Sequence, residues 1–107
     1  MTANEYQVLA MKTLNKDLDE REVLINGVMG LCGESGEVID IVKKHISQGH
    51  PLNKDKIIEE LGDVMWYIAE LATILNVTME DIMKYNINKL SQRYEGGFTV
   101  EQSINRK

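Results

Sequence analysis

The chain has 107 residues, 43% of them hydrophobic, and its formal net charge at pH 7 is -5. This length suits a single domain over residues 1–107, with an expected core at about 3–94 and a polar C-terminal tail at 95–107. The acidic charge and the lack of a Lys/Arg-rich block argue against nucleic acid or an anionic membrane as a partner.

The sequence also carries no sign of secretion or membrane insertion. No apolar run approaches the roughly 20 residues that span a bilayer, and the N-terminus lacks the charged and apolar regions of a signal peptide. The one cysteine, Cys32, cannot form an internal disulfide, and we expect it to be a small core residue. We therefore expect a cytoplasmic protein.

Apolar residues at helical spacing predict four helices, and no strand alternation is present. Thr2 with Glu5 resembles a capping box at the first helix, and Thr78 is expected to cap the fourth. The only proline marks the turn between the second and third helices. We expect an all-α fold, a helical hairpin or four-helix-bundle-like domain. The predicted helices span about 3–16, 20–47, 53–75 and 78–93, and the inner positions of the last are Met79, Ile82, Met83, Ile87 and Leu90.

Glycines recur at every third position of the second predicted helix, at Gly27, Gly30, Gly33 and Gly36. Each costs about 1 kcal/mol relative to alanine in a helix interior, which suggests a steric purpose. We expect Gly30 and Gly33 to let a ligand or a neighbouring helix approach the backbone. The alternative is a frayed helix start near Gly27 to Gly30.

Two segments place pairs of acidic residues beside an apolar helical stripe. Glu34 and Glu37 lie in the second predicted helix, and Glu60 and Asp63 lie at the same spacing in the third. Residues three apart are neighbours on a helix surface, so each pair projects from one side of its helix. Aligning Glu34 with Glu60 also aligns Glu37 with Asp63, and we expect the four acids to converge across a helical hairpin.

Converging carboxylates need a counter-charge, because burying unpaired ions costs several kcal/mol per ion. The nearby basic residues, Lys44 and His45, are too few to supply it. Carboxylates without Cys or His in register favour Mg²⁺ or Mn²⁺ over Zn²⁺. A cluster of salt bridges without metal is the alternative, and the residues alone leave both open.

The doubled acidic motif resembles the signature of the MazG-like all-α nucleoside triphosphate pyrophosphohydrolases. Here it is Glu34-x-x-Glu37, then residues 38–59, then Glu60-x-x-Asp63. The resemblance covers nearly the whole chain, with no departure at the four acids. Its further segments are Glu5-Tyr-Gln7, Gly30-Leu-Cys-Gly-Glu-Ser-Gly-Glu-Val38, Lys43-Lys44, Glu60-Leu-Gly-Asp-Val64, Trp66-Tyr67 and Asn86-Ile-Asn-Lys-Leu-Ser-Gln-Arg-Tyr94.

The resemblance implies hydrolysis of a nucleoside triphosphate to the monophosphate and pyrophosphate, in nucleotide-pool house-cleaning. It also implies that Mg²⁺, with Mn²⁺ as a substitute, is held by the four acids. One carboxylate is expected to accept the proton of the attacking water, and Glu37 or Glu34 is the candidate. The implied metal ligands are Glu34, Glu37, Glu60 and Asp63.

The same analogy supplies candidates for binding the nucleotide. Lys44, Lys89 and Arg93 are candidates for the outer phosphates, and Asn86 is a candidate for the sugar or base. Ordinary surface charge is their alternative role. Tyr67 lies one turn after Asp63 and is expected to pack against the sugar. Trp66 is expected to project the other way, between helices or subunits.

Other functions stay open at this point. The chain is alternatively a non-catalytic helical interaction or regulatory module whose acids form salt bridges, or a metal-dependent phosphatase or diphosphate hydrolase using the same site. Apolar residues on more than one helix face, including Met29 and Met65, predict a homo-oligomer. The resemblance suggests a dimer or a dimer-of-dimers tetramer.

Overall fold

The computed structural model describes residues 1–106, which form five α-helices and no strand. The all-α prediction is confirmed, and three of the four predicted helices begin and end within two residues of their expected limits. No helix in residues 1–106 has both the length and the apolarity to cross a membrane. The helices are α1 (Ala3–Met11), α2 (Glu20–Ser47), α3 (Lys54–Ile74), α4 (Met79–Arg93) and α5 (Val100–Ile104).

Side-chain caps set the helix starts. The Thr2 side chain accepts the backbone N–H of Glu5 at 3.1 Å, which is half of the expected capping box. Thr78 caps α4 with a reciprocal capping box to Asp81. Asp19 forms the same arrangement with Glu22 at the start of α2. Each cap satisfies N–H groups that have no partner inside the helix.

The first helix ends at Met11 and not near residue 16, because its last carbonyl groups accept N–H groups three residues on and one of them also accepts a side chain from α3. Trp66 Nε1 donates to the carbonyl oxygen of Ala10 at 3.0 Å and to the Thr13 hydroxyl at 2.8 Å. The Thr13 hydroxyl in turn donates to the same Ala10 oxygen. The Ala10 oxygen thus accepts these two side-chain donors as well as the backbone N–H of Thr13, and the chain leaves the helix in short turns.

Helices α2 and α3 form the central hairpin and contact each other through glycine. A Cβ atom on Gly27 would lie 2.7 Å from Leu71, and one on Gly30 would overlap the ring of Tyr67. The helix runs unbroken through these positions, so the alternative of a frayed start is wrong. Gly33 has open space beside it, and no helix approaches it.

Helices α1 and α4 pack against the far half of α3 around a small core of Ala10, Ala69, Ala72 and Met79. Gln7 joins all three helices. Its Nε2 donates to the Thr73 hydroxyl and to the Val77 carbonyl, and its Oε1 accepts the N–H of Met79. The N-terminal helix thereby fixes where α4 begins.

Much of the apolar surface has no partner within the single chain. Of the five inner positions predicted for α4, Met79 alone is buried, and the other four are exposed. Cys32 is also exposed, so its assignment to the core is wrong. The radius of gyration is 17.0 Å, whereas a compact chain of this length has about 13 Å. An extended chain with exposed apolar helices fits the expected oligomer, which stays a prediction.

Candidate metal centre

Three of the four predicted ligands meet between α2 and α3. Glu34, Glu60 and Asp63 each offer one carboxylate oxygen, and these oxygens all lie within 4.8 Å of one another. Glu60 and Asp63 share one face of α3 because they are three residues apart. The hairpin brings Glu34 of α2 against that face.

Glu37 lies outside this group of three. It is exposed on α2, one turn beyond Glu34, and its negative charge helps to raise the pKa of Glu34 and the pKa of Lys44. It is therefore close to the acids without joining their converging oxygens. Its role as a fourth metal ligand stays a prediction.

The negative charges of the three acids repel one another. A hydrogen bond with Glu60 is the largest factor that raises the pKa of Glu34 to about 7, followed by burial and by the negative charges of Glu60, Asp63 and Glu37. The same hydrogen bond is the largest cause of the lowered pKa of Glu60, and Lys56 adds to it. Near neutral pH, a proton held on Glu34 is thus shared with the Glu60 carboxylate.

The residues present fit a divalent cation. Lys56, with its Nζ 3.3 Å from Glu60 Oε1, is the one described cation paired with the three acids. It does not offset three carboxylates. The donor atoms are all carboxylate oxygens, which hard ions such as Mg²⁺ and Mn²⁺ prefer.

An open cavity of about 340 Å³ adjoins the acids and is lined by Glu34, Asp63, Trp66 and Tyr67. Its volume lies within the range of about 300–1,000 Å³ for small-molecule sites. The two aromatic rings meet edge to face, with centroids 5.1 Å apart and planes at 84°. Tyr67 lies beside the acids as expected. Trp66 also lines this cavity, although its ring nitrogen points to α1 as described above.

Tyr6 is a residue of this site to which the sequence assigned no role. Its hydroxyl donates to the carbonyl oxygen of Gly62 at 3.5 Å. Burial raises the pKa of Tyr6, and the negative charge of Asp63 raises it further. The segment Glu5-Tyr-Gln7 is part of the family resemblance, which indicated that α1 matters. The resemblance did not indicate that Tyr6 is the side chain that lies beside Gly62 and Asp63.

The other predicted substrate contacts do not line the cavity beside the acids of the same chain. Lys44 forms an ion pair with Asp40 at 2.8 Å, and Asn86 is exposed on α4. Lys89 and Arg93 line a different cavity, between α4 and α5. None of these four residues lines the cavity beside the acids, so their contact with substrate stays a prediction.

The comparison with known families agrees with this geometry. The model of the MazG nucleotide pyrophosphohydrolase domain matches residues 26–98, which include all four predicted ligands. The match covers more than half of the chain, which therefore belongs to the MazG family. This membership supports an activity of the nucleotide pyrophosphohydrolase type.

Two relatives are similar to this chain. The Gene 37 protein of Mycobacterium phage L5 is 37% identical over 114 aligned positions, covering 99% of this chain and 100% of the relative. The uncharacterized protein YvdC of Bacillus subtilis (strain 168) is 36% identical over 74 positions, covering 61% of this chain and 70% of the relative. No solved structure matches the chain significantly.

Proposed function

We propose that this protein hydrolyses a nucleoside or deoxynucleoside triphosphate to the monophosphate and pyrophosphate, with Mg²⁺ as cofactor. The observation that carries the proposal is the convergence of Glu34, Glu60 and Asp63 in a chain of the MazG family. House-cleaning of the nucleotide pool is the cellular role that suits such an activity.

The acids have two proposed roles at the reacting phosphate, metal binding and acceptance of a proton. Glu34, Glu60 and Asp63 would hold the cation, and Mn²⁺ would substitute for Mg²⁺ because both prefer oxygen ligands. A cation held there would neutralise negative charge on the substrate and lower the pKa of water. Glu37, the predicted fourth ligand, lies outside the converging trio and is the preferred acceptor of the water's proton, with Glu34 as the alternative.

The aromatic pair beside the acids suits the nucleoside. Tyr67 lines this cavity, and its proposed role is to pack against the sugar. Trp66 is held by its hydrogen bonds to Ala10 in α1 and to Thr13 just after it, so it offers a rigid wall on the same side. A rigid aromatic wall provides contact area at little cost in conformational entropy.

Pyrophosphate is the expected leaving group. The sequence has no Gly-x-x-x-x-Gly-Lys-Ser/Thr loop of the kind that holds the terminal phosphates in phosphoryl-transfer enzymes. With the acids at the inner phosphates, Lys44, Lys89 or Arg93 neutralises the departing pair. Lys89 and Arg93 line a different cavity from the one beside the acids of their own chain, so in this proposal a dimer or tetramer brings them to a neighbouring site.

The test is a screen of nucleoside triphosphates with Mg²⁺ that measures monophosphate and pyrophosphate. The wild type should give both in equal amounts with no diphosphate intermediate. Glu60→Gln should be inactive, whereas Glu20→Gln, at the exposed start of α2, should match the wild type. Orthophosphate and diphosphate as first products would instead indicate a phosphatase, and inactivity with every nucleotide would favour an interaction module.

A further inference from the structure

A hydrogen-bonded pair joins α2 to α3 about two helical turns from the acids, and the proposed reaction makes no use of it. Glu70 of α3 is fully buried, at 0% exposure. Asn26 of α2 donates from its Nδ2 to both carboxylate oxygens, at 3.1 and 3.0 Å. Among the ion pairs of residues 1–106, none involves Glu70. Its burial is therefore compensated from α2 by a single neutral side chain.

The two helices lie close together beside this pair. A Cβ atom on Gly27 would lie 3.2 Å from Glu70 Oε1 and 2.7 Å from Leu71. The carboxylate thus lies against the backbone of α2, with no access to solvent. A buried polar group without a hydrogen-bond partner is costly, so Glu70 favours the helix alignment in which Asn26 reaches it.

The pair and the acids belong to the same antiparallel alignment of the two helices. On α2, Asn26 lies eight residues before Glu34, a distance of about 12 Å along the helix axis. On α3, Glu70 lies seven residues after Asp63 and ten after Glu60, which is about 11 and 15 Å. Because these lengths agree, the alignment that brings Asn26 to Glu70 also brings Glu34 level with the acids of α3.

The apolar contacts of this hairpin discriminate less well against a slip of one turn. Leu71 and Tyr67 lie against glycines, which have no side chain to interlock. Apolar residues on α3 recur at every third or fourth position, so a shift of about 5.4 Å presents another apolar residue to α2. The same shift would leave Glu70 buried without its donor and would carry the acids of α3 past Glu34. Buried polar groups are known to fix one register of paired helices in this way.

We propose that the hydrogen bond between Asn26 and Glu70 fixes the register of α2 against α3 and so positions the three converging acids. These acids are Glu34, Glu60 and Asp63. Asn26 and Glu70 do not line the cavity beside the acids, and they act as positioning residues through the packing of the two helices. The consequence for a bound cation rests on the proposed function, whereas the register is a property of the metal-free chain.

Glu70→Leu tests this role, because it removes the buried carboxylate and keeps a side chain of similar size. Its stability should stay near that of the wild type, since Asn26 is exposed and an apolar replacement of a buried polar group is often neutral. The nuclear Overhauser contact between Gly30 and the Tyr67 ring should nevertheless weaken in the metal-free protein, because further registers become populated. Mn²⁺ affinity, measured from the EPR signal of the free ion, should fall about tenfold or more, as when groups that orient metal ligands are lost.

Two control variants separate register from stability. Glu70→Gln still accepts a hydrogen bond from Asn26, and it should keep the Overhauser contact and the Mn²⁺ affinity of the wild type. Val23→Ala removes a buried apolar side chain one turn before Asn26, and it should lower stability without changing either property. Circular dichroism checks that each variant is folded.

Retention in Glu70→Leu of either the Overhauser contact or the wild-type Mn²⁺ affinity would overturn the proposal, as would equal losses in Val23→Ala. If Glu70→Leu does not fold, Asn26→Ala takes its place with the same expected and contradicting results. A wild type that binds Mn²⁺ but hydrolyses no nucleotide would remove the proposed function alone. A wild type that binds no Mn²⁺ would remove the metal centre and this positioning role with it.

Discussion

A Cβ atom on Gly30 would overlap the aromatic ring of Tyr67, so α3 lies directly against the bare backbone of α2 beside the acids. Gly30→Ala must therefore displace this ring. We expect it to lower the free energy of unfolding by about 1–3 kcal/mol, the usual cost of overpacking, and to lower turnover by moving Tyr67 out of the cavity wall. Urea unfolding and the nucleotide assay measure the two effects.

Gly36→Ala is the matched control, because it lies on the same helix with open space around it. It should stabilise the protein by up to about 1 kcal/mol through helix propensity alone. If both alanine variants were stabilised equally, the contact between α2 and α3 at Gly30 would be wrong.

The stability of the metal-free protein should fall as pH rises through the neutral range. The pKa of Glu34 is about 7 in the folded chain against an ordinary value of 4.5, so the folded state binds more protons than the unfolded state between these values. Stability therefore declines as pH increases across this window. Glu60, with its lowered pKa, acts in the opposite sense at more acidic pH. Melting temperatures in chelator from about pH 5 to about pH 8 measure the trend.

Mg²⁺ should counteract this loss, because a bound cation favours the charged acids. Glu34→Gln removes the titrating group and should flatten the metal-free profile. A wild-type profile that rises from acid to neutral pH, or a decline that persists unchanged in Glu34→Gln, would contradict the shared proton between Glu34 and Glu60.

Asn26 supplies hydrogen bonds to a carboxylate that has no access to solvent. Glu70 is fully buried, and Asn26 Nδ2 donates to both of its oxygens, at 3.1 and 3.0 Å. Asn26→Ala should cost at least about 1–3 kcal/mol, the penalty for a buried polar group left without its partner. Asn88→Ala, at an exposed position of α4, should change stability little. Equal midpoints of urea unfolding for the two variants would count against this role.

We expect the exposed apolar residues of α2 to be buried between chains in an oligomer. Met29 and Ile39 are 68% and 67% exposed in the single chain, and exposed patches of this kind mark interaction surfaces. Light scattering should give a multiple of the 12.2 kDa chain mass. Ile39→Glu should shift the protein toward smaller species, whereas Leu52→Glu, in the turn before α3, should not. A wild-type mass equal to one chain at micromolar concentration would refute the prediction.

The sequence by itself determined the helices and the acidic pairs. Thr2, Thr78 and the apolar spacing set most helix limits, because capping and helical periodicity involve contacts between residues no more than about four apart. For the same reason, the spacing of Glu34 with Glu37 and of Glu60 with Asp63 placed each pair on one side of its helix. The family resemblance added the expected reaction.

Only the tertiary structure decided which of these residues meet. It brought Glu34 to Glu60 and Asp63, left Glu37 outside the trio, joined Trp66 to the last turn of α1, and placed Tyr6 against Gly62, next to Asp63. It also placed Lys89 and Arg93 with Arg106 in a different cavity. These outcomes depend on how helices far apart in the chain pack together, and short-range spacing carries no information about that packing.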